Sequence, residues 1–184
     1  MPVKSRFHIP LKDIKPEGKS FLVDDASIFE APIRDFHIDC RLASAPEMEI
    51  TVLPMDEGWL LRGHLKADII VPCSRCACDT QVHIDEDIED YAQRPDEEET
   101  AAPTAFREDD DHLLFEHGAL MLDLAGIAWE QFALALPATP LCRTDCKGLC
   151  PSCGADLNNG PCSCPADEGD PRLAVLRSLK VEKQ

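Results

Sequence analysis

Ten cysteines, eight of them in four close pairs, constrain this chain more than any other feature. The pairs are Cys73-x2-Cys76, Cys142-x3-Cys146, Cys150-x2-Cys153 and the tighter Cys162-x-Cys164. Zinc holds thiolates tetrahedrally at about 2.3 Å, and two ligands delivered from one turn need about two to four residues between them. Each pair therefore supplies half a site, and distant stretches of chain must meet to complete it. In CPSCG (150–154) the glycine after the second cysteine lets the backbone turn back so that amides face the sulfurs. One or two structural Zn2+ ions are the expectation.

The preferred grouping joins Cys73 and Cys76 to Cys142 and Cys146, and Cys150 and Cys153 to Cys162 and Cys164. A rival grouping uses Cys142, Cys146, Cys150 and Cys153 as one local site, which leaves Cys73 and Cys76 free or joined by Cys78. Cys40 lies in a strand-like stretch and reads as core, whereas Cys78 reads as a spare thiol or alternate ligand. A CxxC alone can also be a redox dithiol, and a single thiol can be a small buried hydrophobe. An iron–sulfur cluster uses the same ligands, but all-thiolate pairs with a knuckle glycine suit zinc better.

Period-two patterning dominates the stretch before the acidic region. Met48, Ile50 and Val52 alternate with Glu47, Glu49 and Thr51, MDEG (55–58) reads as a turn, and Trp59 to Val71 resumes the alternation with Arg62, His64, Lys66 and Asp68 outward. Residues 80–90 repeat it through Val82, Ile84 and Ile88, so PCSRCACD (72–79) is predicted to be a hairpin tip carrying the first cysteine pair. Residues 33–42 are predicted as an earlier strand, and 1–31 carry no clear pattern. Over 123–136, Leu124, Ile127, Ala128, Phe132 and Ala135 recur at helical spacing, with Asp123 as cap and Pro137 as stop. A terminal helix is predicted in DPRLAVLRSLK, with Asp170 as cap, Pro171 in the first turn, and Leu173, Leu176 and Leu179 on one face. The expected class is α+β: an antiparallel β-rich domain over 1–93 with the Cys73/Cys76 tip, an acidic flexible linker over 94–111, and a helix with a small cysteine-rich zinc module and terminal helix over 112–184.

Charge narrows the choice of partner. The chain carries −17 at pH 7, and residues 85–111 hold thirteen carboxylates against Arg94 and Arg107. Such a surface repels phosphate backbones and attracts basic partners. A catalytic zinc keeps an open position and usually recruits histidine or carboxylate, but the paired ligands here are all cysteine. The histidines His8, His37, His64, His83, His112 and His117 are scattered and read as solvated strand or loop residues. No nucleophile elbow, phosphate loop or dinucleotide fingerprint occurs, so the chain is expected not to be an enzyme. No apolar run approaches the roughly 20 residues that span a bilayer, and MPVKSRFHIPLKDIKPEG does not resemble a signal peptide. With thiols kept reduced, a cytoplasmic location is expected.

Taken in order, CSRC after a strand, WEQFALALPATPLC, CKGLCPSCGADLN, CSC and DPRLAVLRSLK resemble the bacterial and plastid YceD family, from about residue 30 to the end. The resemblance implies a role in accumulation of the large-subunit 23S ribosomal RNA and hence in ribosome assembly, with no established catalysis. Charge adds what the resemblance does not: the partner expected is a basic ribosomal protein or large-subunit assembly factor, engaged by the acidic strand edge and linker. Precursor 23S rRNA is the alternative, touched through the basic ends or through Arg143 and Lys147 in the zinc module. A thiol redox sensor is a further alternative.

Overall fold

The computed structural model describes residues 6–95, 112–116 and 118–164. The predicted terminal helix with its basic residues, most of the acidic linker and His117 lie outside these residues. The fold is α+β, with two antiparallel sheets and two α-helices among the described residues. In chain order the elements are β1 (His8–Pro10), a 3-10 turn (Leu11–Asp13), β2 (Lys19–Val23), α1 (Ser27–Asp35), β3 (Arg41–Leu42), β4 (Glu47–Met55), β5 (Gly58–Pro72), β6 (Asp79–Gln93), β7 (Leu113–Glu116), β8 (Ala119–Asp123) and α2 (Leu124–Ala135).

The larger sheet is built on β5. On one side β5 pairs first with β4, from Met55↔Gly58 to Glu47↔Lys66, and then with the short β3. On its other side it pairs with β6 without interruption from Gly58↔Gln93 to Pro72↔Asp79. A 15-residue strand extends about 50 Å. The β5–β6 hairpin therefore carries its cysteine tip far from the Met55–Gly58 turn. Gly58 is required at the near end, because a Cβ there would lie 2.2 Å from the Ala92 carbonyl oxygen.

Alternation decides which side of this sheet is dry. Met48, Ile50, Val52, Leu61, Leu65, Ile69, Ile84 and Ile88 are buried, while Arg62, Lys66, Asp85, Asp87 and Glu89 face solvent. The helices close over the apolar side, and Phe29 of α1 meets Phe132 of α2 edge to face at 5.2 Å. Asp123 starts α2 by accepting hydrogen bonds from the Ala125 and Gly126 N–H groups, both at 3.0 Å. Leu136 ends it in an extended conformation, as a residue before proline favours.

Two stretches differ from the sequence expectation. Residues 27–35 form α1 where a strand was expected from residue 33, and only Arg41 and Leu42 of the expected strand pair with β5. Asp25 seeds the helix, its Oδ1 accepting from both the N–H and the hydroxyl of Ser27, and Ile28, Phe29 and Ile33 then hold one side in the core. The second difference is a small three-stranded sheet, β1-β8-β7, in which His8 pairs with Asp123 and Leu113 with Leu122. One continuous core joins Phe7 and Leu11 to Leu113, Leu122 and Phe132. Among the described residues no helix is long and apolar enough to cross a membrane.

Candidate metal centres

The hairpin tip and the segment after α2 meet through backbone hydrogen bonds. Ser74 N–H donates to the Pro140 carbonyl at 2.8 Å, and Leu149 N–H donates to the Arg75 carbonyl at 3.0 Å. The Arg75 guanidinium returns a bond to the Cys146 carbonyl at 2.8 Å. Gly148, at φ +75°, permits this approach, since a Cβ there would lie 2.9 Å from the Arg75 carbonyl oxygen.

These contacts bring Cys73, Cys76, Cys142 and Cys146 together, and the module's own turns bring Cys150, Cys153, Cys162 and Cys164 together. Within each group the four sulfurs all lie within 4.8 Å of one another. In the first group the Cys73–Cys146 separation is 3.8 Å and the Cys76–Cys142 separation 3.6 Å. A tetrahedron with metal–sulfur bonds of about 2.3 Å has sulfur–sulfur edges of about 3.8 Å, whereas a disulfide needs about 2.05 Å. Both tetrads can therefore hold a metal ion. The local grouping of Cys142, Cys146, Cys150 and Cys153 does not form.

The two CxxC turns are built alike. Cys73 N–H donates to the Cys78 carbonyl and Ala77 N–H to the Cys73 carbonyl; Cys150 N–H donates to the Ala155 carbonyl and Gly154 N–H to the Cys150 carbonyl, all at 2.8 Å. Gly154 takes φ +73° easily, but its counterpart Ala77 holds φ +57° with a side chain attached. Backbone N–H groups exposed by such turns favour thiolate over thiol. The amides of Cys142, Arg75 and Cys76 bring Cys73 down to about 6. The amides of Cys153 and Ser152, helped by the Cys162 thiol, bring Cys150 down to about 6.

Cys76, Cys142 and Cys164 shift the other way. At Cys76 the backbone N–H of Cys78 lowers the pKa, but the Cys78 thiol, burial, and the Cys73 and Cys146 thiols outweigh it and leave it at about 11. Burial and the neighbouring thiols, Cys76 foremost, raise Cys142 as well. The Cys153 thiol, burial, and the thiols of Cys150 and Cys162 push Cys164 to about 12. Four anionic sulfurs at these distances need a positive charge at their centre. Four-sulfur tetrahedral sets are taken by zinc or iron, and four protein ligands leave no open coordination position.

Asn158 supports the first tetrad, and sequence reasoning did not single it out. Its Nδ2 donates to Cys146 Sγ at 3.4 Å, and this bond is the leading reason the Cys146 thiol is lowered. Its Oδ1 accepts from Lys147 N–H at 2.8 Å and from Arg143 at 2.7 Å, while Asp156 Oδ1 accepts from both its backbone and side-chain nitrogens. One amide thus ties the second tetrad's loop to a ligand of the first. The only signal was the presence of both residues in the string CKGLCPSCGADLN, where neither has an evident ligand role.

The other candidates fall elsewhere. Cys40 is buried in the main core, where desolvation raises its thiol. Cys78 is exposed, with its sulfur 3.3 Å from Cys76 Sγ. His64 lies between Asp85 and Asp87 on the solvent side of the sheet, and Asp68, ahead of Asp85, raises His83. His8 and His112 are less solvated than expected, because His8 meets Glu116 of β7 and His112, just ahead of β7, meets Glu130 of α2.

A family model described as large ribosomal RNA subunit accumulation protein YceD matches residues 61–180. This chain belongs to the YceD family. Uncharacterized proteins of Mycobacterium bovis and Mycobacterium tuberculosis are each 28% identical to it over 130 residues, covering 71% of this chain and 59% of theirs. A chloroplastic large ribosomal RNA subunit accumulation protein, YCED homolog 1 of Arabidopsis thaliana, is 31% identical over 75 residues, 41% of this chain and 23% of that protein. This YceD chain therefore spans about 59% of the length of the mycobacterial relatives. No solved structure matches it.

Proposed function

We propose that this YceD chain supports accumulation of large-subunit 23S ribosomal RNA as a non-enzymatic, cytoplasmic, zinc-stabilised factor, acting as an acidic adaptor or chaperone for a basic ribosomal protein or assembly factor. Membership of the family and the name of the chloroplastic relative support the process. The all-thiolate tetrads support zinc in a structural role, because closed coordination holds a surface in place without activating water.

The observation that carries the adaptor reading is β6. Among the described residues this 15-residue strand pairs only with β5, so no strand lies along its other edge, and it bears Asp79, Asp85, Glu86, Asp87, Glu89 and Asp90. An edge of that length is a template for an added strand, and its charge selects a basic one. A second acidic copy is repelled by the same field, and so is a phosphate backbone. Direct RNA contact is the second reading, favoured by exposed Arg143 and Lys147 beside the first tetrad. Affinity capture from cells, with and without nuclease, separates the two. Ribosomal proteins or assembly factors should remain on the captured protein after nuclease and leave as salt rises; complete loss on nuclease treatment contradicts the adaptor reading.

A further inference from the structure

A fifth thiol stands beside the first tetrad and has no equivalent at the second. Cys78 is exposed, while three of the four thiols it adjoins, Cys73, Cys76 and Cys146, are buried. Its sulfur lies 3.3 Å from Cys76 Sγ, closer than the tetrad separations of 3.6 and 3.8 Å. The matched hydrogen bonds of the two knuckles place Cys78 where the second knuckle has Ala155, since the Cys78 and Ala155 carbonyls accept from Cys73 and Cys150 respectively. The asymmetry lies in side-chain chemistry on a shared backbone frame.

We propose that Cys78 is the oxidant-reactive thiol of this protein, and that its reaction with a hydroperoxide yields a Cys76–Cys78 disulfide that withdraws a ligand from the first metal centre and leaves the second intact. In the first step the Cys78 sulfur attacks the peroxide O–O bond, becoming a sulfenic acid, and the other oxygen leaves as water from hydrogen peroxide or as the alcohol from an organic hydroperoxide. In the second, Cys76 sulfur gives up the ion and attacks the Cys78 sulfur; the S–S bond forms and hydroxide departs, to be protonated or to leave with the ion. Two sulfurs together lose two electrons, and hydrogen peroxide takes them to become two molecules of water. The sulfurs need approach by only about 1 Å to reach a disulfide length of about 2.05 Å.

Loss of Cys76 removes one of the links between the hairpin tip and the segment after α2. Those links include Ser74 to Pro140 and Leu149 to Arg75, so the oxidised chain should present a loosened module. The inference rests on reading the first tetrad as a metal centre.

The test uses the full chain, whose metal content is measured before a small excess of hydrogen peroxide is added. Ion release is followed with a chromogenic chelator, and disulfides are located by peptide mass. The expected result is release of one of two ions, a Cys76–Cys78 linkage, recovery of binding after a dithiol reductant, and release about tenfold slower in Cys78→Ser and Cys78→Ala. Both variants should carry two ions before oxidation, which shows that they fold. Unchanged release in both variants, simultaneous loss of both ions, or linkage of other cysteines overturns the proposal. Metal-free starting protein would instead refute the metal reading, and the Cys76–Cys78 linkage can still be read from mass alone.

Discussion

Replacing Cys146 by serine is expected to remove one ion per chain and to release the segment after α2 from the hairpin tip while the sheets persist. Cys146 belongs with Cys73 and Cys76 to a small buried cluster separate from the main core, whose apolar side chains come from the sheets and helices. Two independent sources of cohesion should fail independently. Cys76 and Cys142 are 66 positions apart in sequence, but the core already holds β6 and α2 together between them, so the ion has only the hairpin tip and the segment after α2 to fix. A structural zinc supplies on the order of 10 kcal/mol or more, so its loss removes the main tie between those two pieces. Hydrogen exchange gives the local readout. The Ser74 and Leu149 amides, which donate across the junction, should exchange far faster in the variant, while β5–β6 amides near Leu61 and Glu89 keep their protection. Unchanged exchange at Ser74 and Leu149 would mean that the junction does not depend on the ion.

Neutralising β6 with Asp85→Asn, Glu86→Gln, Asp87→Asn and Glu89→Gln should weaken capture of the basic partner by tenfold or more at low salt, a loss of about 1.4 kcal/mol at the least, and flatten its salt dependence. The fold should tolerate the change. The Arg62–Glu89 and His64–Asp87 pairs are on the solvent side, and exposed pairs contribute about 0–1 kcal/mol each. Direct RNA binding predicts the opposite direction, because removing four negative charges lessens repulsion of phosphate. Binding measured against salt for wild type and variant checks this: weaker binding with a shallower slope supports the acidic surface, and equal or tighter binding contradicts it.

Strand patterning was legible where one face of a strand is wet and the other dry. The burial of Met48, Ile50 and Val52 against exposed Glu47 and Glu49, and the registers of β5 with β4 and β6, follow from that alternation. The α1 helix was hidden because its signal begins at Asp25 and Ser27, ahead of the residues read as a strand, and because Pro32 argues against a helix interior. The small sheet was hidden for a different reason. Its strands β1, β7 and β8 are three to five residues long, too short to establish a period, and β1 pairs with β8 across more than a hundred positions.

The cysteine spacings indicated ligand pairs, and the hairpin pointed to how the first pair travels to meet the second. Spacing could not show what holds the pairs in place. Asn158 acts through a hydrogen bond to a sulfur rather than as a ligand, Arg75 through its carbonyl and guanidinium, and Ala77 through a left-handed backbone that the sequence suggests only where glycine stands. Such supporting residues become visible only once the chain has folded around them.

X-ray absorption at the metal edge, combined with elemental analysis of the purified full chain, tests the central claim most directly. Two zinc ions per chain, each with four sulfur neighbours at about 2.3 Å and no lighter ligand, is the predicted result. A folded protein without metal, or an ion whose first shell contains nitrogen or oxygen, would contradict it.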